Sequence, residues 1–597
     1  MLLKTGGTIC IWIVLATLSS IVALPLSIGQ TKDSQTAQSL QGNWVGGFMH
    51  QGNWVTLNIS FVSAKDGIGG TANIIFTGYE SQSGVNLTGV ALNGSRAHFE
   101  TQTNWGNITF DGKLTAGTIS GNYHYAGKSG AFGLTRIVSV NRAARAKFFG
   151  AYRVAPGHVI SVFEWIDGTS LMFVDYRSGH ISTLYPLSEE TFFSGAGRAV
   201  SYPVSLKVRF VKDDQGEVTK LRWRSVGEPE RTATKIKFKE EQLSFQNGEV
   251  TIAGTLMSPM AKGPHPVIII TPGDFGNSRN FLRMWAYNFL RRGVAAFIFD
   301  SRGGGASTGS VNSSSFSDLA NDVLAGVEQL KTRQNVDPNR IGLFGFSNSA
   351  WTVTLAASRS KSVAFLIDQS LSGVPPWQQE TFRAERQVRL AGFPEEAVTK
   401  AVVLMKLKFE AGRTGNGWAQ LQAMMGEYQN ERWFLYTNPP GSLERMRASW
   451  ERSFKYDPVP SLEHVRCPVL MYYGELDSNV PVQISIPIIE QALMRADNKD
   501  FTIKVFPKGR HDLIEGEDGG LRESTRMKRF VPGYWDTMLD WLVTRVTRPK
   551  SSRSAVLLNR SGKGHDQNEK TVSDWNSDRD SDVRLPQCIT VPGTTDN

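Results

Sequence analysis

Three polar residues, far apart in the chain, have the side-chain types needed for nucleophilic catalysis. Ser347 stands in a Gly-x-Ser-x-Ser run, Asp477 in a Gly-x-x-Asp run, and His511 after a Lys-Gly-Arg run. A serine hydroxyl is a weak nucleophile at neutral pH, so it requires an imidazole to take its proton and a carboxylate to orient that imidazole. The order Ser347, Asp477, His511 therefore predicts a triad for acyl transfer.

The elements that must position this triad are short apolar strands separated by amphipathic stretches. Continuous apolar strands that alternate with amphipathic helices are typical of a parallel sheet covered on both faces. In such a sheet, functional groups gather at the carboxyl ends of the strands. The predicted strands span residues 266–271, 294–300, 341–346, 364–367, 468–473 and 501–506.

Ser347 lies between a predicted strand and a predicted helix, where a sharp reversal strains the backbone and exposes the hydroxyl. Ser349 occupies the place where a second glycine is usual, and its small side chain still lets strand and helix approach. Asp368, after an earlier strand, is the rival acid. His265 and His464 do not follow the last strand, so His511 is the predicted base.

At these residues the chain resembles the α/β-hydrolase superfamily, within it the carboxylesterases, dienelactone-hydrolase-like enzymes and serine aminopeptidase-like proteins. Residues 299–309 resemble that branch's D-x-R-G-x-G-x-S-x-G loop, and residues 474–481 resemble its G-x-x-D-x-x-V-P loop. The resemblance covers residues 240 to 546. It implies an α/β-hydrolase fold: a mostly parallel sheet with helices on both faces and a helical cap.

An oxyanion hole requires two backbone N–H groups aimed at the attacked carbonyl oxygen. One predicted donor is Asn348, directly after the nucleophile. By position the other is Asp274, although the family usually reads His-Gly there and this chain has Pro272 in place of the histidine. The Asp274 carboxylate must point away or hold a cationic substrate group; alternatively, it only bonds its own loop.

The remaining chain divides into four predicted parts around a catalytic domain at residues 241–546. Residues 38–140 alternate polar and apolar positions between Gly and Asn turns, which predicts a small antiparallel barrel or sandwich. Residues 141–240 predict a second β-rich module. Both are expected to be accessory or substrate-presenting; the alternatives for their aromatic residues are carbohydrate binding and core filling.

Between strands, residues 372–461 predict a cap of amphipathic helices. Such a cap suits an acyl chain or hydrophobic ester, but its large apolar residues would equally glue the cap to the sheet. Those residues are Trp377, Phe382, Phe393, Met405, Phe409, Trp418, Met424, Met425, Trp433 and Phe434.

The two ends of the chain predict its location. Residues 1–29 read as a secretory signal peptide, which predicts a secreted or periplasmic protein. The alternative is an uncleaved membrane anchor, because the uncharged stretch is also long enough to span a bilayer, for which about 20 apolar residues suffice. Residues 547–597 are poor in apolar side chains and predict a disordered tail.

No cofactor, metal or nucleic acid is expected. After the signal only Cys467 and Cys588 remain, and no Cys/His cluster, dinucleotide loop or Walker loop is present. The net charge of +10 is spread along the chain rather than gathered in a stripe. The oligomeric state is left open.

The sequence predicts an exported serine carboxylic ester hydrolase with a small-molecule ester or acyl substrate. The first alternative is a serine peptidase or aminopeptidase of the same fold, which would need Glu380, Glu385 or Asp274 to anchor a substrate amine. The second is a non-catalytic binding protein whose β modules carry the function.

Overall fold

A computed structural model describes residues 40–64, 67–76, 80–273 and 279–546. The predicted signal peptide, the predicted tail and the oxyanion candidate Asp274 lie outside the described residues. The described residues, from Leu40 to Val546, form one compact unit.

The first module is a closed antiparallel barrel in which the first strand pairs with the eighth. Its inward positions carry phenylalanines, and Phe99 and Phe110 stack with ring centroids 4.8 Å apart. A barrel of this size is filled by its own side chains. The strands are β1 Gly42–His50, β2 Asn53–Ala64, β3 Gly67–Ile75, β4 Ser81–Asn93, β5 Arg96–Thr103, β6 Gly106–Thr115, β7 Thr118–Tyr125 and β8 Lys128–Ile137.

The second module is also a closed antiparallel barrel, introduced by a short helix, α1 (Arg142–Ala146). Asn141 caps that helix by accepting a hydrogen bond from the Ala144 N–H. Pairing of the last strand with the first closes the barrel. The strands are β9 Gly150–Ala155, β10 His158–Glu164, β11 Leu171–Asp175, β12 Ile181–Pro186, β13 Thr191–Ser194, β14 Leu206–Lys212, β15 Val218–Ser225 and β16 Arg231–Lys235.

The remaining strands form a sheet in the order β17-β18-β20-β19-β21-β22-β23-β24, parallel from β20 to β24. Along β19, Val267 and Ile269 belong to one buried cluster and Ile268 and Ile270 to another, so both faces are covered. The strands are β17 Lys239–Asn247, β18 Val250–Ser258, β19 His265–Ile270, β20 Ala295–Phe299, β21 Val336–Phe346, β22 Leu366–Gln369, β23 Val469–Gly474 and β24 Phe501–Phe506. The first helices between them are α2 Arg283–Leu290, α3 Phe316–Lys331 and α4 Asn348–Arg359.

Helices inserted between β22 and β23 form the cap: α5 Pro376–Leu390, α6 Glu395–Thr414, α7 Trp418–Tyr428, α8 Leu443–Ser449 and α9 Val459–Leu462. Met405, Phe409, Trp433 and Phe434 are buried in clusters made up mainly of cap residues. These side chains therefore hold the cap helices together. Helix α10 (Val482–Arg495) covers the sheet after β23, and α11 (Tyr534–Val546) after β24.

Within the described ranges, no helix is both long and apolar enough to cross a membrane.

Candidate active site

Ser347 occupies the sharp turn between β21 and α4. Its φ of 56° lies in the left-handed region that non-glycine residues rarely adopt. The turn is tight because a Cβ on Gly345 would lie 2.6 Å from the Ser349 carbonyl oxygen. The Ser349 hydroxyl closes the turn by accepting from the Phe346 N–H (2.9 Å), a contact that a second glycine would lack.

The structure brings the three predicted catalytic residues together, although they come from three strand ends. The Ser347 hydroxyl lies 2.8 Å from His511 Nε2, within hydrogen-bonding distance. On the other side of the ring, His511 Nδ1 lies 2.9 Å from Asp477 Oδ2 and 3.1 Å from Oδ1. A carboxylate on Nδ1 keeps the proton there and leaves Nε2 able to accept the serine proton.

The Asp477 carboxylate is held in place by backbone donors as well as by the imidazole. Its Oδ1 atom accepts hydrogen bonds from the N–H groups of Asn479 and Val480, both at 2.9 Å. The side chain is fully buried, whereas His511 is 12% exposed. Hydrogen bonds to the ionised form compensate the burial of this charge.

The electrostatic surroundings of His511 raise the pKa of its imidazole above the ordinary value of 6.5. Burial acts in the opposite direction, because it disfavours the charged ring. The charge and hydrogen bond of Asp477, with a contribution from Asp512, outweigh both burial and the repulsion from Arg510. Imidazolium formed during catalysis is therefore stabilised.

The hydrogen bonds of the His511 ring go to Asp477 and Ser347, whereas the rival acid Asp368 is bonded to Thr354. Asp368 is completely buried at the end of β22, where its Oδ2 accepts a hydrogen bond from the Thr354 hydroxyl at 2.9 Å. Burial raises the pKa of the Asp368 carboxyl well above its usual range. Burial thus favours the protonated carboxyl, which is less suited than an anion to orient an imidazole.

The rival histidines are used structurally. His265 Nε2 lies 3.0 Å from the Ala261 carbonyl oxygen, and His464 Nδ1 lies 2.8 Å from the Pro460 carbonyl oxygen.

Asn348 begins α4 directly after Ser347. Its backbone N–H therefore lies in the first turn of that helix, beside the Ser347 hydroxyl in the chain. Asp274 lies outside the described residues. Both oxyanion donors, Asn348 and Asp274, stay predictions.

A small apolar slot lies beside the serine turn, between the ends of β19 and β21 and the start of α2. Its volume, as bounded by described residues, is about 10 Å³, which is room for about one water molecule. The lining residues that matter below are Phe281, Leu282, Trp285 and Phe346.

Sequence reasoning missed the part that the second barrel takes in this site. Arg198 of that barrel forms an ion pair with Asp512, the residue after His511, at 3.1 Å. The Arg198 guanidinium also stacks over Trp165, whose ring meets Phe281 of the slot edge-on at 5.1 Å. Arg198 and Asp512 lie 314 positions apart in the chain, and no local motif marks either of them.

Backbone hydrogen bonds also join the second barrel to the segment that follows His511. The N–H groups of Ile181, Arg198 and Ala199 donate to the carbonyls of residues 528, 527 and 525, and the Phe530 N–H donates to Gly179. The barrel therefore braces the loop that carries the predicted base. The sequence predicted only an accessory or substrate-presenting role for this barrel, and these contacts add a structural role in the active site.

Among the described residues, no group of three or more His, Cys, Asp or Glu side chains could hold a metal ion.

Comparisons with known proteins show what this chain is similar to. Residues 262–518 match the family model described as serine aminopeptidase, S33. A thiohydrolase, apmlB, from Arthrinium phaeospermum is 33% identical over 138 residues, which are 23% of this chain and 44% of that protein. A putative carboxymethylenebutenolidase from Synechocystis is 26% identical over 24% of this chain and 64% of its own length. The chain therefore spans less than two thirds of either relative.

Among solved structures, this chain is similar to the Pyrococcus furiosus esterase Pf2001, with 16% sequence identity and a TM-score of 0.34. The match covers 52% of this chain and 92% of the esterase chain.

The ion pair beside His511 predicts opposite shifts in the pH profile for its two partners. A general base must be neutral, so kcat/KM falls as the pH drops below the pKa of His511. Arg198→Met leaves the Asp512 charge unbalanced, which raises that pKa and moves the acid limb to higher pH. Asp512→Asn removes the anion, and the limb moves to lower pH. We expect the midpoint of the acid limb to shift by about half a pH unit in each single variant. The measurement is the pH dependence of kcat/KM for a soluble ester.

The double variant Arg198→Met/Asp512→Asn is the matched control, and its acid limb should return toward that of the wild type. Shifts in the same direction for both single variants, with folds intact by circular dichroism, would contradict this role for the pair.

Proposed function

We propose that this chain, whose residues 262–518 match a serine aminopeptidase (S33) family model, is a serine carboxylic ester hydrolase of the α/β-hydrolase superfamily. The observation that carries the proposal is the continuous chain of contacts from Ser347 Oγ to His511 Nε2 and from His511 Nδ1 to Asp477. A non-catalytic binding protein would have no need for a strained serine aligned on a histidine.

In the proposed mechanism, the Ser347 oxygen bonds to the ester carbonyl carbon while His511 Nε2 takes the hydroxyl proton. The carbonyl oxygen becomes an oxyanion, to which the Asn348 N–H donates. As this intermediate collapses, the bond to the alcohol oxygen breaks, and His511 returns its proton to the departing alcohol. A water molecule then attacks the acyl-serine, with His511 again as base, and releases the carboxylic acid.

The family description also raises an aminopeptidase, which would need a free carboxylate near the serine to hold a substrate ammonium group. In the cap, Glu380 pairs with Arg383 at 2.9 Å, and Glu385 pairs with Arg389 at 3.0 Å. Both carboxylates already pair with arginines, so neither is available to hold a substrate ammonium group. We therefore propose an ester rather than a peptide with a free N-terminus as the substrate. Asp274, the third candidate, lies outside them.

The size of the slot supports a short acyl group. As bounded by the described residues, its volume of about 10 Å³ admits little more than a methyl group beside the serine turn. The bulky cap residues do not offer an alternative acyl channel, because Met405 and Phe409 are buried in a cluster made largely of cap residues. We place the acyl group of the substrate in this slot and its alcohol portion toward the cap.

Export from the cell is part of the proposal and rests on the apolar run within residues 1–29. A cell-fractionation experiment with the full chain, followed by N-terminal sequencing of the mature protein, distinguishes cleavage from an uncleaved anchor.

Ser347→Ala should abolish ester turnover and labelling by a fluorophosphonate, because both require the same nucleophile. The melting temperature should change little, since the hydroxyl is partly exposed and the alanine side chain fits the same turn. Undiminished labelling of the folded variant would remove Ser347 from the mechanism.

Asp477→Asn and Asp368→Asn should separate the two candidate acids. An amide at position 477 favours the wrong imidazole tautomer, so kcat should fall by about 10⁴-fold. Asp368 is buried, its carboxyl pKa is raised, and its side-chain hydrogen bond is with Thr354, so an amide of the same size should change kcat by less than about tenfold. Steady-state kinetics on one soluble ester measures both variants, and the reverse ranking would assign the acid to β22.

Leu282→Ala should widen the slot and shift the acyl preference. The substrates are p-nitrophenyl acetate and p-nitrophenyl butyrate, and the butyrate-to-acetate ratio of kcat/KM should rise by about tenfold. The reason is that butyrate has two more methylenes than acetate, and each buried methylene contributes about 0.8 kcal/mol. Leu290→Ala is the matched control, because it removes the same atoms from the same region without lining the slot.

An aminoacyl-anilide turned over faster than p-nitrophenyl acetate by the wild type would contradict the ester assignment.

A further inference from the structure

A second cavity lies away from the serine, where the first barrel meets the cap and the loop that follows His511. Its volume is about 170 Å³. The barrel contributes His50, Phe76 and Tyr125, the cap contributes Arg432, and the loop contributes Arg522. An apolar cavity of about 150 Å³ holds one benzene ring, so this space accommodates a single-ring molecule.

The charges around the cavity are unbalanced. Glu80 is buried and forms an ion pair with Arg432 at 2.5 Å, and Tyr436 donates to the same carboxylate at 3.4 Å. Arg522, in contrast, makes no side-chain hydrogen bond or ion pair with any residue that the structure describes, and it is only partly exposed. One positive charge therefore remains for a ligand.

His50 does not supply a further charge at neutral pH. Burial, followed by the positive charges of Arg432 and Lys128, lowers the pKa of its imidazole below 6.5. Its Nδ1 lies 3.2 Å from the Tyr123 hydroxyl, within hydrogen-bonding distance.

Aromatic rings form one side of the cavity. The Phe76 and Tyr125 centroids lie 5.6 Å apart, and Trp105 supports Phe76 edge-on at 5.0 Å. Gln51 and Asn53 add polar groups to the lining. Flat apolar walls combined with a few polar groups and one charge are typical of small-molecule sites.

We propose that this cavity binds a small monocarboxylate that carries one ring, with the carboxylate on Arg522 and the ring against Phe76 and Tyr125. A planar guanidinium pairs with a carboxylate through two parallel hydrogen bonds, which gives orientation as well as attraction. A sugar acid and an aromatic acid share this chemistry. The site uses no residue of the predicted triad, so it stands independently of the proposed hydrolysis.

The test uses the full chain and measures binding by isothermal titration calorimetry. The two probes are glucuronate, for a hydroxylated ring, and benzoate, for an apolar ring; glucose and benzyl alcohol are their neutral counterparts. We expect one carboxylate to bind at least tenfold more tightly than its neutral counterpart. Binding of glucuronate would identify the ligand as a sugar acid, and binding of benzoate as an aromatic acid. Ser347→Ala should bind it equally well.

Arg522→Gln should weaken that binding at least tenfold, because it removes the unpaired charge and leaves the Glu80–Arg432 pair intact. Lys528→Gln is the matched control: it removes one exposed positive charge from the same loop without lining the cavity. Failure of both carboxylates to bind, equal binding of the neutral counterparts, or unchanged binding by Arg522→Gln would each overturn the proposal.

Discussion

The position of the His511 imidazole is the constraint on which the rest of the site depends. Its two ring nitrogens must meet Ser347 and Asp477 at once, and these residues come from different strands. The parallel sheet supplies the strand ends, but the histidine itself is carried by a long loop between β24 and α11. Loops are mobile unless they are tied down. Here the second barrel provides the tie, through backbone pairing and through the Arg198–Asp512 ion pair.

Burial and hydrogen bonding assign different roles to two chemically identical acids. Asp477 is buried but receives two backbone donors and the imidazole, an environment that suits a carboxylate ion. Asp368 is buried with a single hydroxyl donor, and burial raises the pKa of its carboxyl. Different surroundings therefore give two acids of the same type different functions.

Much of this architecture could be predicted from local patterns. The family match over residues 262–518 supports the hydrolase fold of that part of the chain. The short apolar strands that precede Ser347, Asp477 and His511 can be recognised in the sequence. The cap's large side chains were harder to interpret, since an amphipathic pattern reveals a buried face but not its partner. Arg198 and Arg522 could not be predicted, because their roles depend on contacts between segments hundreds of residues apart.

The central claim is that Ser347 becomes acylated during turnover, and rapid-quench mass spectrometry tests it most directly. The protein is mixed with excess p-nitrophenyl acetate, stopped within the first turnovers and digested. The account predicts an acetyl group on the peptide that contains Ser347, appearing together with the first equivalent of nitrophenolate. Turnover without acetylated protein, or an acetyl group confined to another peptide, would contradict it.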